Sequence, residues 1–253
     1  MRARLAAGRP LVGPFLPLPH PTAAEVMAGL GFDYLCVEGE HSGLGTGTVQ
    51  TLVASAVLAG SEVLVRVAAP EQQPIAAALD AGASGVIVPR VGSAAVAQAV
   101  VAAARYPPLG ERGLGPGRAT GYGVWTADYV ARANEHVLVA VQIETRAGVE
   151  RLDEILAVDG VDVIFVGPGD LGLSLGIAGG LDGLELREVI EGIVVRAHAA
   201  GRAAGMFGVT PETVAYWAKR GVELLLFGSD VGFLLAGATA ARDRLAELLA
   251  SGE

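Results

Sequence analysis

The stretch VLVAVQIE (Val137–Glu144), followed after RAGVERLDEILAV by VDVIFVGPGD (Val161–Asp170), decides how this chain folds. Each is a nearly unbroken apolar run that closes on a carboxylate, and the segment between them has helical spacing. Runs of that kind, apolar on both faces, are expected of parallel strands covered by helices. As neighbouring parallel strands they would bring Glu144 and Asp170 out at the same sheet edge. Two carboxylates sharing an edge suit a hard divalent cation, and a partly open site of oxygen ligands suits Lewis-acid chemistry.

The same alternation extends in both directions. Upstream lie Leu11–Leu16 with the helix PTAAEVMAGLG, DYLCVE with TVQTLVASAVLAG, EVLVRV with EQQPIAAALDAG, and GVIVP with SAAVAQAVVAAARY. A long Gly/Pro-rich connection then leads to VLVAVQIE. Downstream of VDVIFVG come a helix near Leu184–Ala200, the strand AAGMF, the helix TPETVAYWAKRG, the strand ELLLFG and a helix near Leu235–Leu249. Eight strand–helix pairs in a chain of 253 residues predict an α/β fold, a (β/α)₈ TIM barrel occupying 1–253 as one domain. A GxGxG does occur at Gly113–Gly117, but in the long connection and without a preceding strand, so it does not read as a dinucleotide turn.

Bulk properties narrow the function. A formal charge of −9 argues against nucleic-acid or anionic-membrane surfaces. No apolar run reaches the roughly 20 residues of a membrane span, and the N-terminus lacks the apolar core of a secretory peptide. The one cysteine, Cys36, excludes an intramolecular disulfide framework and reads as a buried structural thiol. A cytoplasmic protein is expected.

In a barrel the chemistry belongs to residues at the carboxyl ends of the strands. Those are Glu38, Glu40 and His41, then Arg66, Pro89 and Arg90, Gln142 and Glu144, Gly169 and Asp170, and finally Ser229 and Asp230. Several could instead be structural. Asp170 could cap the next helix, Arg146 could pair with Glu144, Arg66 could serve a structural ion pair, and His41 could be a hydrogen-bonded structural residue. Asp80, late in a helix, would pass as a surface residue. His20, His136 and His198 lack ligand spacing, which disfavours a multi-histidine zinc site. Lys219, the only lysine, falls in a helix, so a Schiff-base mechanism has no nucleophile and carbonyl chemistry here would rely on a metal.

FDYLCVEGEHSG, VLVRV, LDAGASGVIVPRV, RYPPLGERGLG, VQIETRAGVERLDEILAVDGVDVIFVGPGDLGLSLG and LLLFGSD, in this order from about Leu11 to Leu235, resemble the HpcH/HpaI aldolases. The resemblance implies a modified barrel whose C-terminal helix is exchanged between subunits of a homohexamer. It implies a divalent metal cofactor (Mg, Mn or Co) on Glu144 and Asp170. It makes His41 the proton-transfer residue with Asp80 orienting it, and Arg66 the residue that contacts the ketoacid and stabilises its enolate. Gln142 and the backbone at Gly169, together with Asp170, would line the pyruvate site. The implied partners are a small-molecule 2-ketoacid and an aldehyde.

Four departures from the family pattern bear on the acceptor pocket. The first loop, FLPLPHPT, is rich in proline; AAPEQ follows Arg66; Glu38 stands where Asp is typical; and Arg90 takes a position usually apolar. Arg90 could bind a further anionic group or pair with a nearby acid. Two further functions stay open: decarboxylation of oxaloacetate followed by carbon–carbon bond formation on the same scaffold, and a catalytically silent ketoacid-binding barrel.

Overall fold

The computed structural model describes residues 1–177 and 183–251. Eight parallel strands close into a barrel in sequence order: β1 (Leu11–Leu16), β2 (Leu35–Glu38), β3 (Val63–Arg66), β4 (Gly85–Val88), β5 (Leu138–Ile143), β6 (Val163–Val166), β7 (Ala203–Gly208) and β8 (Leu224–Ser229). Helices α1 (Arg2–Ala6), α2 (Pro21–Ala28), α3 (Thr46–Leu58), α4 (Gln72–Asp80), α5 (Ala94–Ala104) and α6 (Thr126–His136) precede β5. The remainder are α7 (Arg146–Glu150), α8 (Leu152–Leu156), α9 (Pro168–Leu175), α10 (Leu184–Ala199), α11 (Pro211–Ala218) and α12 (Asp230–Ser251). The α/β barrel expected from the alternation is the fold observed.

Period-two geometry sends successive side chains to opposite faces of the sheet. Cys36, Leu64, Ile87, Leu138, Ala140, Val163, Phe165, Leu224 and Leu226 belong to one buried cluster inside the barrel. Val37, Val63, Val65, Val86, Val139, Val141, Ile164 and Leu225 belong to the other, between strands and helices. Continuing the inner series by two residues at a time leads to Glu38, Arg66, Gln142 and Glu144. These four polar side chains are therefore carried into the barrel's carboxyl mouth by the same alternation that builds its core.

The structure departs from the periodic pattern in several places. The segment after β5 is two short helices, α7 and α8, broken at Arg151 (φ −104, ψ 19). The Gly/Pro-rich connection contains α6, and β6 runs directly into α9, whose glycines hide it from propensity. Helix α12 starts at Asp230, earlier than its apolar spacing indicates. Its base packs on its own barrel: Phe233 lies 5.3 Å from the Phe227 ring and 6.2 Å from Phe32. Leu234, Leu235, Leu245 and Leu249 farther along are exposed. No helix among the described residues is long and apolar enough to cross a membrane.

Glycine matters where strands approach closely. A Cβ at Gly85 would lie 2.4 Å from the carbonyl oxygen and 2.6 Å from the Cβ of Leu138 on the paired strand. Gly85→Ala therefore has to push β4 from β5, and overpacking of this kind costs about 1–3 kcal/mol. A lower urea midpoint with an unchanged slope is the expected result; an unchanged midpoint would mean that the two strands splay without cost.

Candidate active site

Strands β5 and β6 pair in register, Ile143 opposite Val166, and the Gly167 N–H donates to the Ile143 carbonyl. Glu144 thus leaves β5 beside the turn into α9, which carries Gly169 and Asp170 in its first turn. The Glu144 side chain is buried. Its Oε1 accepts the Arg90 backbone N–H at 2.6 Å, and its Oε2 accepts from Gln142 Nε2. A Cβ at Gly167 would come within 2.8 Å of Glu144 Oε2, so the glycine opens the space in which that carboxylate lies. Asp170, by contrast, is half exposed.

A second group comes from β2 and β3. Glu38, buried at the end of β2, accepts the N–H groups of Glu40 (2.7 Å) and His41 (2.9 Å) on Oε1 and Arg66 Nε (2.7 Å) on Oε2. It therefore fixes both the loop that carries His41 and the Arg66 guanidinium. Arg66 Nη2 also pairs with Glu38, and its Nη1 lies 3.3 Å from Glu40 Oε2. The guanidinium sits over Phe15 at 4.4 Å from the ring centroid. Burial raises the Glu40 carboxyl above its ordinary range, with the charge of Glu144 adding to the shift and Arg66 opposing it.

His41 joins the two groups. Its Nε2 lies 3.7 Å from Glu40 Oε2 and 3.8 Å from Asp170 Oδ2, so one half-exposed imidazole stands between carboxylates from opposite sides of the mouth. Of the residues singled out from the sequence, the fold brings His41, Arg66, Gln142, Glu144, Gly169 and Asp170 to one rim. Asp80 is elsewhere. It ends α4, which runs back against the strands and delivers it to the amino end of β4, where Oδ1 accepts Arg112 Nη2 at 2.7 Å. Within one chain, Asp80 does not orient His41.

Arg146 does not pair with Glu144; its N–H donates to Ser174 and its guanidinium to the Leu175 carbonyl. Ser229 and Asp230 serve the base of α12: Asp230 accepts from Val231 (2.6 Å) and Leu18 (3.3 Å), and Ser229 from Gly232 (3.1 Å). The residue whose weight the sequence does not convey is Glu40. It continues the inner series two residues past Glu38 but beyond the end of β2, and it lies between Arg66 and His41 with a buried Oε2 that has no hydrogen-bond partner. Gln142 Oε1 is likewise buried and unpartnered.

These donors are chemically suited to a hard divalent cation. All are oxygens and negative charge is in excess; Gln142 Oε1 is buried without a donor, which is costly unless a positive species faces it, and Glu40 Oε2, although 3.3 Å from Arg66 Nη1, makes no hydrogen bond. Among the described residues no three His, Cys, Asp or Glu side chains are grouped to hold an ion by themselves. A cation on Glu144 and Asp170 would complete its shell with water and substrate.

Residues 11–236 match the HpcH/HpaI aldolase/citrate lyase family. The chain belongs to that family. It is 39% identical over 249 residues to the hydroxypyruvate/pyruvate aldolase of Roseovarius nubinhibens, covering 97% of this chain and 95% of that one. It is 38% identical over 238 residues to the 4-hydroxy-2-oxo-heptane-1,7-dioate aldolase of Salmonella dublin, covering 93% and 90%. The crystal structure of a Burkholderia cenocepacia HpcH/HpaI aldolase/citrate lyase family protein superposes with a TM-score of 0.91 at 33% identity, covering 97% and 98%. Membership in the HpcH/HpaI family makes the chain a carbon–carbon lyase and accounts for a barrel whose polar residues gather at one mouth.

Proposed function

We propose that the protein is a divalent-metal-dependent aldolase that joins pyruvate, or a related 2-ketoacid, to an aldehyde and cleaves the corresponding 4-hydroxy-2-ketoacid. The observation that carries this reading is the buried Glu144 carboxylate at the end of β5, on the same barrel rim as Asp170, His41 and the anchored Arg66.

Glu144 and Asp170 would hold the cation (Mg, Mn or Co), with the free Oε1 of Gln142 nearby. When bound, the cation supplies a Lewis acid that makes the C3 protons of the ketoacid removable at neutral pH. His41 takes that proton, directly or through a water, and returns one to the new alkoxide. Its loop stays in place because Glu38 holds the His41 N–H. Arg66 keeps donor hydrogens beyond those given to Glu38 and Glu40, and they face the charge that develops on the ketoacid oxygen. First-turn amides of α9, at Gly169 and Asp170, have no acceptor inside the helix and suit the ketoacid carboxylate.

The exposed leucines of α12 support an assembly in which this helix packs on a second copy, and the family resemblance points to a hexamer.

The direct test is exchange of the pyruvate methyl protons in D₂O, followed by mass spectrometry, with and without chelator. Chelation is expected to slow exchange by about 100-fold or more, and Mg, Mn or Co to restore it. Exchange at an unchanged rate in the stripped protein would overturn the metal-dependent reading. Parallel measurement of oxaloacetate loss separates aldol from decarboxylative chemistry.

A further inference from the structure

Four carboxylates (Glu38, Glu40, Glu144 and Asp170) and two guanidiniums (Arg66 and Arg90) meet at the barrel mouth. The two arginines are used differently. Arg66 has only 11% of its side chain exposed and is committed to Glu38 and Glu40. Arg90 has 72% exposed, and its nearest carboxylate oxygen, Glu40 Oε1, is 3.9 Å from Nε, beyond hydrogen-bonding distance. An exposed contact of that length adds little stability, and Glu40 is already met by Arg66.

The backbone sharpens the contrast. Arg90 has φ 58, in the left-handed region, and is one of two non-glycine residues there among those described. This conformation accompanies the donation of its N–H to Glu144 Oε1. Glycine or asparagine would meet the backbone requirement with less strain. A long cationic side chain is not needed for it, and strained residues of this kind collect where a ligand uses them. The peptide fixed to Glu144 thus roots an exposed guanidinium at the same mouth as Glu144 and Glu40.

We propose that Arg90 is the acceptor-specificity residue, receiving a carboxylate or phosphate at the far end of the aldehyde. The assignment rests on the aldolase reading above. In the reaction a C3–H bond of the ketoacid breaks, C3 bonds to the aldehyde carbon, and the former carbonyl oxygen takes a proton. No redox partner is needed, and the distal anion is unchanged. Charge favours this role. With a divalent cation and the ketoacid bound but Arg90 left out, the four carboxylates and Arg66 would leave the mouth with two negative charges. A second anion would face Glu40 and Asp170 unless Arg90 receives it, and a guanidinium offers such a group paired donors.

The test uses metal-loaded wild type, Arg90→Met, Arg90→Lys and Arg90→Glu with pyruvate and matched acceptors: succinic semialdehyde against butanal, and glyceraldehyde 3-phosphate against glyceraldehyde. The readout is the anionic-to-neutral ratio of kcat/KM within each enzyme, which a general loss of stability does not move. That ratio is expected to fall about 10–100-fold in Arg90→Met, farther in Arg90→Glu, and least in Arg90→Lys. The fall should appear mainly in the KM for the aldehyde, and the pair with the larger change names the anion. A ratio that is the same in all four enzymes, while pyruvate exchange proceeds, overturns the assignment alone. Absence of pyruvate exchange in the wild type overturns the aldolase reading and this assignment with it.

Discussion

Glu144→Gln is expected to remove at least about 10³-fold of turnover while leaving the fold nearly as stable as before. The two effects separate because the carboxylate's hydrogen bonds are replaceable and its charge is not. Oε1 accepts from the Arg90 N–H, and Oε2 accepts from Gln142 Nε2. A glutamine at 144 keeps one oxygen for Arg90 and turns its NH₂ toward Gln142. The Gln142 amide can rotate to meet it, because its Oε1 has no partner now. The packing against Gly167, which admits no side chain, is unchanged in volume. The lost anion, however, is half of the proposed carboxylate pair, and Lewis-acid stabilisation is worth several kcal/mol at about 1.4 kcal/mol per tenfold in rate. Thermal melts and pyruvate exchange with graded Mn measure both sides. Turnover within tenfold of wild type at saturating metal would remove Glu144 from the metal site.

The fold and half of the site are legible in the sequence because both rest on one periodicity. In VLVRV and VLVAVQIE, the alternate positions that place Leu64, Leu138 and Ala140 inside the barrel also deliver Arg66, Gln142 and Glu144 to its mouth. Such residues stand out as polar interruptions of an apolar series. What is illegible depends on contacts between distant segments. Arg105, in the RYPPLG stretch, is fully buried and donates to the carbonyls of Asn134, Val137 and Gly160 and to Asp162, a set no local pattern encodes. Family resemblance makes Asp80 a partner for His41; within one chain Asp80 accepts instead from Arg112, which lies over the Tyr106 and Tyr129 rings. Helix α9 is obscured because glycines at 169 and 172 depress its propensity, while Pro168 at its first position, Asp170 in its first turn and Gly176 at its C-cap are start and stop signals. The N-cap of α9 is Gly167 and no side chain caps it, so Asp170 does not cap the helix; as a first-turn acid it complements the helix dipole and also faces His41.

Removing the Arg66 charge should show how far the site is built at the expense of stability. Among the described residues its guanidinium is the main cation against Glu38 (5% of the side chain exposed) and the nearest to Glu40 (6%). Arg66→Met retains an apolar stem over Phe15 but leaves both acids without their main partner. Glu38 still has two backbone N–H donors on Oε1. Glu40 retains only the longer approaches of His41 and Arg90, and its Oε2 already lacks a hydrogen bond. Breaking a buried ion pair from one side costs about 3–5 kcal/mol, which lowers Tm by roughly 10 °C in a chain of this size. The sign of the pH dependence follows from Glu40. Its folded-state pKa is already raised by burial, and losing Arg66 removes the main opposing influence. A carboxyl with a raised folded pKa binds protons more tightly folded than unfolded, so stability falls as pH rises through that range. The variant's deficit should therefore be larger at pH 8 than at pH 5.5, and a second substitution, Glu40→Gln, should recover part of it. The double-mutant cycle measures the coupling: a deficit independent of pH and of residue 40 would place the cost in lost packing over Phe15, not in stranded charge.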